Sequence, residues 1–328
     1  MAVLVTGGAG YIGSHTVAEL NEHGFEVIVL DHLLNGHRQA LFGTTLYEGD
    51  IADHKLIAEI IKKHAIDTVV HFAAMSLVGE SVQKPLDYYE ANVCKTRALL
   101  QTLAELGVQR FVFSSTAAVY GEPVQVPISE QHQTSPTNPY GDTKLSIEHM
   151  LRWCYNAYGM HSISLRYFNA AGAHLTLPIG EDHRPETHLI PLVVQAALGQ
   201  REHVTVFGED YETRDGTCVR DYVHVMDLAS AHRLAVERLR HQQGVDVFNL
   251  GNGKGFSVKE VIDVVSRVTG RTVPTIYGAR RAGDPAVLVA SSAKAKEQLN
   301  WVLRHSDLET IVSSAVNWHS RHPGGFNE

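Results

Sequence analysis

Several absences limit what this sequence can be. It has no unbroken apolar run of about 18 residues, the length that marks a membrane-spanning helix. It has no excess of basic charge: 28 Lys and Arg against 36 Asp and Glu give a net charge of -8, which argues against a nucleic-acid partner. An anionic small molecule stays possible, because a few placed arginines suffice locally. The start, "MAVLVTGGAG", enters a strand-like run without a basic segment or cleavage site, so no signal peptide is expected. Cys94, Cys154 and Cys218 are scattered and lack CxxC spacing. They read as reduced thiols of a cytoplasmic protein. None of the 20 histidines stands in HxxxH or HExxH, so no metal site is expected.

What the sequence does have is alternation. Strand-like stretches at Ala2–Gly7, Phe25–Asp31, Asp67–Ala74, Arg110–Thr116 and His161–Asn169 are separated by helical stretches at Ser14–Gly24, Lys55–His64, Lys95–Gly107 and Lys144–Gly159. This order predicts an α/β protein with a Rossmann-type, doubly wound parallel sheet. Ligands of such sheets sit beyond the carboxyl ends of the strands. After Asn169 the chain becomes richer in Gly, Pro and Asp, and its elements become shorter and more mixed. Residues 1–169 are expected to form the dinucleotide-binding domain. Residues 170–328 are expected to form mainly a smaller mixed α/β substrate-binding domain, with some segments returning to the first.

"VTGGAGYIGSH" joins the first strand to the first helix. Gly7, Gly8, Gly10 and Gly13 let backbone approach a pyrophosphate at a helix N-terminus, whose free N–H groups favour an anion. Asp31 ends the second strand about 20 residues further on, where a carboxylate suits a ribose diol and repels a 2′-phosphate. NAD is therefore expected over NADP. Asp50 and Ile51 offer an adenine contact, and Phe72, Ala73 and Ala74 a small-residue strand end along the cofactor's path.

In "PYGDTK", Tyr140 and Lys144 share a helical face at i and i+4. A phenol that takes a proton near neutrality needs its pKa lowered by roughly three units, about 4 kcal/mol. A neighbouring ammonium and a nicotinamide ring cation both favour phenolate. "SSTAAVYG" ends another strand, so Ser114, Ser115 and Thr116 are expected at the same edge, with a hydroxyl placed on the substrate oxygen.

With these motifs the chain resembles the extended short-chain dehydrogenase/reductase family. Within it, the resemblance is to the UDP-galactose 4-epimerases along nearly the whole length. The matching stretches are "VTGGAGYIGSH", "HFAAMSLVGESVQKP", "FSSTAAVYGEP", "PYGDTK", "LRYFNAAGAH", "VFGEDYETRDGTCVRDYVHVMDLA" and "RRAGDP". The resemblance implies interconversion of UDP-glucose and UDP-galactose with tightly held NAD, Tyr140 as base, and Lys144 and Thr116 beside it. It adds Tyr11, Ile12, Asn35, Asn92, Ser114 and Tyr167 to the cofactor contacts. For the nucleotide sugar it implies Arg220 and Arg281 on the diphosphate, the latter beside Arg280, and Asp284 on the ribose. It further implies Phe207 in the uracil slot, with Asn169, His188, Leu189 and Thr205 around the ligand. It also implies a homodimer joined through the helices that begin near Lys95 and Lys144.

Particular residues separate the alternatives. Dehydratases of this fold carry acidic residues directly after the strand-end threonine; Ala117 and Ala118 stand there. Epimerisation of UDP-GlcNAc and UDP-GalNAc depends on the room at Leu288. A non-catalytic NAD sensor has no need of a base. Two departures from the family are Ser76, where many members have lysine near the cofactor phosphates, and His188, where some have asparagine.

Overall fold

The computed structural model describes residues 2–281 and 285–326. The chain begins with β1 (Ala2–Thr6), α1 (Tyr11–Glu22), β2 (Glu26–Asp31), β3 (Thr45–Glu48), α2 (His54–His64) and β4 (Ile66–His71). It continues through α3 (Val78–Gln83), α4 (Pro85–Tyr88), a π-helical stretch (Tyr89–Cys94), α5 (Lys95–Glu105), β5 (Arg110–Thr116), α6 (Pro139–Tyr158), β6 (His161–Tyr167) and β7 (Asn169–Ala171). Next come α7 (Leu189–Ala197), β8 (Val204–Phe207), β9 (Val219–Arg220), β10 (Tyr222–His224), α8 (Val225–Arg238) and β11 (Val245–Leu250). It closes with β12 (Phe256–Ser257), α9 (Val258–Thr269), β13 (Thr275–Gly278), β14 (Val287–Leu288), α10 (Ala293–Gln298) and α11 (Leu308–Arg321).

Seven of the described strands form one sheet in the order β11-β6-β5-β4-β1-β2-β3, and every pairing in it is parallel. A parallel sheet buries both faces, which explains why the strands read as nearly continuous apolar runs. On one face Val3, Val5, Val29, Val112 and Phe248 pack with Val17 and Leu20 of α1 and with Leu228 and Ala231 of α8. On the other Leu4, Ile28, Phe111 and Phe113 pack with Ile57 and Ile60 of α2, Leu99 and Leu103 of α5, and Ile147 and Leu151 of α6.

Strand order reverses between β1 and β4. The crevice of a doubly wound sheet opens at that switch point, so the loops after β1 and β4 face each other across it. α8 and β11 belong to this layer, although they lie in the second half of the sequence. The other described strands form small sheets, β10-β7, β12-β9-β14 and β13-β8, and α7, α9 and α11 pack beside them around Ile190, Val193, Val261, Val265, Ile311 and Val312.

Three boundaries differ from the sequence expectation, each for a local reason. α6 starts at Pro139, because the Asn138 side chain accepts from Gly141 N at 2.9 Å and proline needs no partner at the first helical position. The helix therefore includes Tyr140. β4 stops at His71, because the N–H groups of Phe72 and Ala73 both donate to Thr6 O and fold the chain over the glycine loop. The 161–169 stretch breaks at Phe168: β6 ends at Tyr167, and β7 leaves to pair with β10.

Candidate active site

The glycine loop is shaped by its neighbours. Gly7 has φ +72°, and a Cβ on it would sit 2.5 Å from Ala73 N; one on Gly13 would sit 2.3 Å from Gly7 O. Neither position tolerates a side chain. Gly10 differs, since a Cβ there would meet only Gly7 O, at 3.5 Å. Its outer side is open, as close approach of a pyrophosphate requires. Gly10 caps α1 without any side-chain hydrogen bond, so the first N–H groups of the helix, from Tyr11, Ile12 and Gly13, have no acceptor within it. This arrangement fits the phosphates of a dinucleotide.

Asp31 braces the loop. Its Oδ2 accepts from Ala9 N and its Oδ1 from Leu33 N, both at 2.9 Å. A carboxylate has about four acceptor sites, so capacity remains for a ribose diol, with exposed Asn35 nearby on the same loop. Asp50 pairs with Lys95 and Ile51 is buried. Phe72 packs on His232 with ring centroids 4.6 Å apart, Ala73 lies against Gly7, and Ala74 and Ser76 are exposed. Asn92 is fully buried and spends its amide on Met75 N, Met75 O and Thr143 Oγ1. It holds the chain just after Ala73 and Ala74 in place. Tyr11 reaches out of the cofactor loop and donates to Gly172 O at 2.6 Å.

The catalytic candidates converge at the ends of β5 and β6, where Thr116 and Tyr167 are register partners. Side chains alternate along a strand. Ser114 and Thr116 therefore share a face, with Ser114 Oγ hydrogen-bonded to Tyr167 OH. Ser115, expected at the same edge, turns away and donates to Glu148 Oε1 at 2.6 Å. Lys144 is buried, with Nζ 5.9 Å from the Tyr140 ring centroid and donating to Ser114 O at 2.9 Å.

The electrostatics differ from the expectation. Burial pushes the Tyr140 phenol up to about 12, with the Thr116 hydroxyl pulling it back. Burial also brings the Lys144 ammonium down to about 7. The lysine that was expected to acidify the phenol by its charge spends its hydrogen bond on the strand end. Acidification therefore falls to the hydroxyl contact and to a positive charge brought in with the cofactor.

The Lys144 shift has a consequence for stability. Its folded pKa lies below the unfolded value of 10.5. The unfolded chain thus binds more protons between pH 7 and 10.5, and stability rises with pH across that window. Below about pH 7 the full cost of burying the ammonium is present. Lys144→Met should be more stable than the wild type at pH 6 by on the order of a few kcal/mol, with the gap closing toward pH 10. Denaturant unfolding at several pH values measures it; a gap independent of pH contradicts the assignment.

The nucleotide-sugar candidates lie on β7, β8, β9, the start of α7 and the loop after β13. Asn169 pairs with Tyr222 in register, and both its N and Nδ2 donate to Asp221 O. Asp221 is fully buried and accepts from Asn252 N, Gly253 N and Ala290 N. Arg220 donates to Val219 O at 2.8 Å and is register partner to Leu288. Leu288 packs with Val119, Tyr120, Ile128 and Leu145. Arg281 lies 4.0 Å over the Phe207 ring. Thr205 sits two residues before Phe207 on β8, and Leu189 opens α7. Arg280 instead pairs with Asp210 and stacks on Tyr211. His188 commits Nδ1 to Glu181, whose charge raises the imidazole to about 9 against the effect of burial. Asp284 lies outside the described residues.

A family model described as the NAD dependent epimerase/dehydratase family matches residues 3–251. The chain belongs to this family. It is 60% identical over 327 residues to a UDP-glucose 4-epimerase of Halalkalibacterium halodurans, covering 100% of this chain and 98% of the relative. It superposes with a TM-score of 0.94 on the UDP-glucose 4-epimerase from Brucella ovis in complex with NAD, at 48% identity over 96% of this chain and 97% of that one. It also matches the Bifidobacterium longum UDP-glucose 4-epimerase in complex with NAD+ and UDP, with a TM-score of 0.94 at 39% identity over 99% of this chain and 100% of that one.

Two buried constructions behind the family's Tyr–Lys pair escaped the sequence reading. Arg166 forks onto Glu148 and also donates to Tyr120 OH, which donates to Asn249 Oδ1. His71 bridges Thr6 Oγ1 and Thr96 Oγ1. The i+4 step from Lys144 to Glu148 was a signal for the first. Nothing local announced the second.

Proposed function

We propose that this chain is an NAD-dependent isomerase that interconverts UDP-glucose and UDP-galactose by oxidation at C4, rotation of the 4-keto sugar and re-reduction on its other face. The single observation that carries this reading is the open Gly10 cradle at one edge of the same crevice that places Tyr140, Thr116 and Lys144 at the other. NAD, when bound, supplies the hydride acceptor and donor for the sugar carbon. The chain's own groups do the rest. The free N–H groups of α1 hold the pyrophosphate, and Asp31 and Asn35 flank the ribose. Tyr140 takes the proton of the C4 hydroxyl and returns it after rotation. Thr116 Oγ1 orients that oxygen, and Lys144 fixes the end of β5 against the base.

For the nucleotide sugar, Arg220 and Arg281 grip the diphosphate, Phe207 with Thr205 and Leu189 borders the uracil, and Asn169 offers its Oδ1 to the sugar. A firm hold on the diphosphate with few sugar contacts is what rotation requires. Ala117 and Ala118 follow Thr116 in a short helical turn, and neither can move protons at C5 or C6. This favours epimerisation over dehydration. Product analysis from UDP-galactose tests the reading, and a parallel run with UDP-GalNAc reads the room at Leu288.

We place the enzyme in the cytoplasm, where free Cys94, Cys154 and Cys218 stay reduced. No described helix is long and apolar enough to cross a membrane. We also propose a symmetric dimer through α5 and α6, supported by Trp153 at 72% and Tyr158 at 59% exposure on one helix. Sedimentation should give twice the chain mass, and Trp153→Glu should shift it toward the monomer; an unshifted dimer would move the interface elsewhere.

A further inference from the structure

Between Gly172 and α7 the chain has almost no regular structure, yet it is firmly held. Trp318 Nε1 donates to Glu181 O at 2.9 Å, and Phe326 N to Asp182 Oδ2 at 2.9 Å. Trp318 also fills the space beside Gly180. The coil brings together the side chains of Glu181, His183, Glu186 and His188, with one ligand atom from each within 4.8 Å of the others. Two of these are carboxylates exposed by only 3% and 8%.

We propose that Glu181, His183, Glu186 and His188 form a four-ligand site for a divalent transition metal of the zinc class. The spacing is close to that of a bound ion. His183 Nδ1 lies 3.1 Å from Glu181 Oε1 and 4.0 Å from Glu186 Oε2, and His188 Nδ1 lies 3.8 Å from Glu186 Oε1. Ligand bonds of about 2.1 Å in a tetrahedron put the ligand atoms about 3.4 Å apart. An ion has to part the direct Glu181–His188 contact, and side-chain rotation then completes the shell.

The donor set selects the metal. Two imidazoles and two carboxylates suit zinc and its neighbours, whereas magnesium and calcium prefer oxygen alone. With an ion bound, two carboxylates, two imidazoles that have given up their protons and a dication sum to zero. His183 Nδ1 is closed off from solvent and faces the cluster, with Glu181 Oε1 as its nearest acceptor at 3.1 Å. Glu186 Oε1 is already fixed by the N–H groups of Thr187 and His188 at 2.7 and 2.8 Å, which orients the carboxylate as a second shell orients a ligand. The cleft that reaches the cluster is lined by Gln195, His319 and His322 and gives an ion its path in.

The ion's role is to staple the coil. The segment accepts the Tyr11 hydroxyl at Gly172 and starts α7 with Leu189, so it joins the cofactor loop to the second layer of the fold. The Glu181 and Glu186 charges lie close enough to raise the Tyr11 phenol, on top of burial. His188 keeps Nε2 for other partners, so the metal site stands independently of the epimerase reading.

The test uses tag-free protein carrying its NAD, stripped with a chelator, dialysed and titrated with zinc chloride. Metal content is read by mass spectrometry and melting temperature alongside. One zinc per chain, a Kd of about micromolar or tighter, and a melting temperature raised by about 5 °C are expected. Glu186→Gln with His183→Ala should weaken binding by about 100-fold or more, with the far-UV circular dichroism unchanged. His188→Ala, at a half-exposed position, repeats the test without risk to folding. No stoichiometric zinc in the wild type, or zinc retained by these variants, overturns the proposal.

Discussion

Tyr140→Phe should lower turnover of UDP-galactose by about 10³- to 10⁴-fold, the scale of losing a positioned general base, while NAD content and UDP-sugar affinity stay within a few-fold. The phenylalanine keeps the ring in its half-buried place beside Lys144 and Thr116, so the fold has no reason to change. Only the proton acceptor is gone. Because burial holds the phenol near 12, the wild-type rate should rise with pH over a wide range, limited by the charge that the bound cofactor contributes. Steady-state kcat and KM with a pH profile check both statements. A kcat within tenfold of wild type would remove Tyr140 from the role of base, and a loss confined to KM would make it a binding residue.

Arg166→Met should cost about 3–5 kcal/mol of stability, the penalty for breaking a buried ion pair from one side. Arg166 is 5% exposed and Glu148 3%, and the pair is bidentate. Removing the guanidinium leaves the Glu148 carboxylate without its cation inside the protein, and takes the donor from the Tyr120 hydroxyl, which keeps its bond to Asn249. The melting temperature should fall by about 4–7 °C. Glu148 sits one helical turn after Lys144, so turnover should drop as well, through displacement of α6. The double variant Arg166→Met with Glu148→Leu should regain much of the stability, since two apolar groups of similar volume replace the pair at little cost. If the single variant melts within about 2 °C of wild type, the pair is not structural.

The parts legible in the sequence were those coded by neighbours in the chain. Gly7, Gly10 and Gly13 carry their own geometry, and a glycine turn between a buried strand and a helix has few other meanings. Tyr140 and Lys144 are one helical turn apart, so their shared face follows from helix periodicity alone. Strand-end residues such as Ser114 and Thr116 follow from the rule that doubly wound sheets bind at their carboxyl edge, whereas Asn169 came only from the family resemblance.

What escaped lies between residues far apart. Arg166 meets Glu148 from a neighbouring strand, and His71 meets Thr96 across a helix and a sheet. Strand alternation was legible in principle, yet Ser115 was expected beside Ser114 and Thr116, and only its bond to Glu148 places it on the other face. Some later segments were expected to return to the first layer, but which ones is a packing outcome: the apolar faces of α8 and β11 complete the core around Val3 and Val5. Sequence shows the partner lysine and not the depth of burial, which moves the Tyr140 phenol up and the Lys144 ammonium down. Glu181, His183, Glu186 and His188 follow no helical spacing, so their cluster has no signature in the sequence.

The central claim is tested most directly by one assay. Purified protein, with bound NAD confirmed by its release on denaturation, is incubated with UDP-galactose alone, and the products are separated. UDP-glucose should form and reach a constant ratio to UDP-galactose, the same ratio reached when the reaction starts from UDP-glucose. NAD-loaded protein that leaves UDP-galactose unchanged would contradict the account.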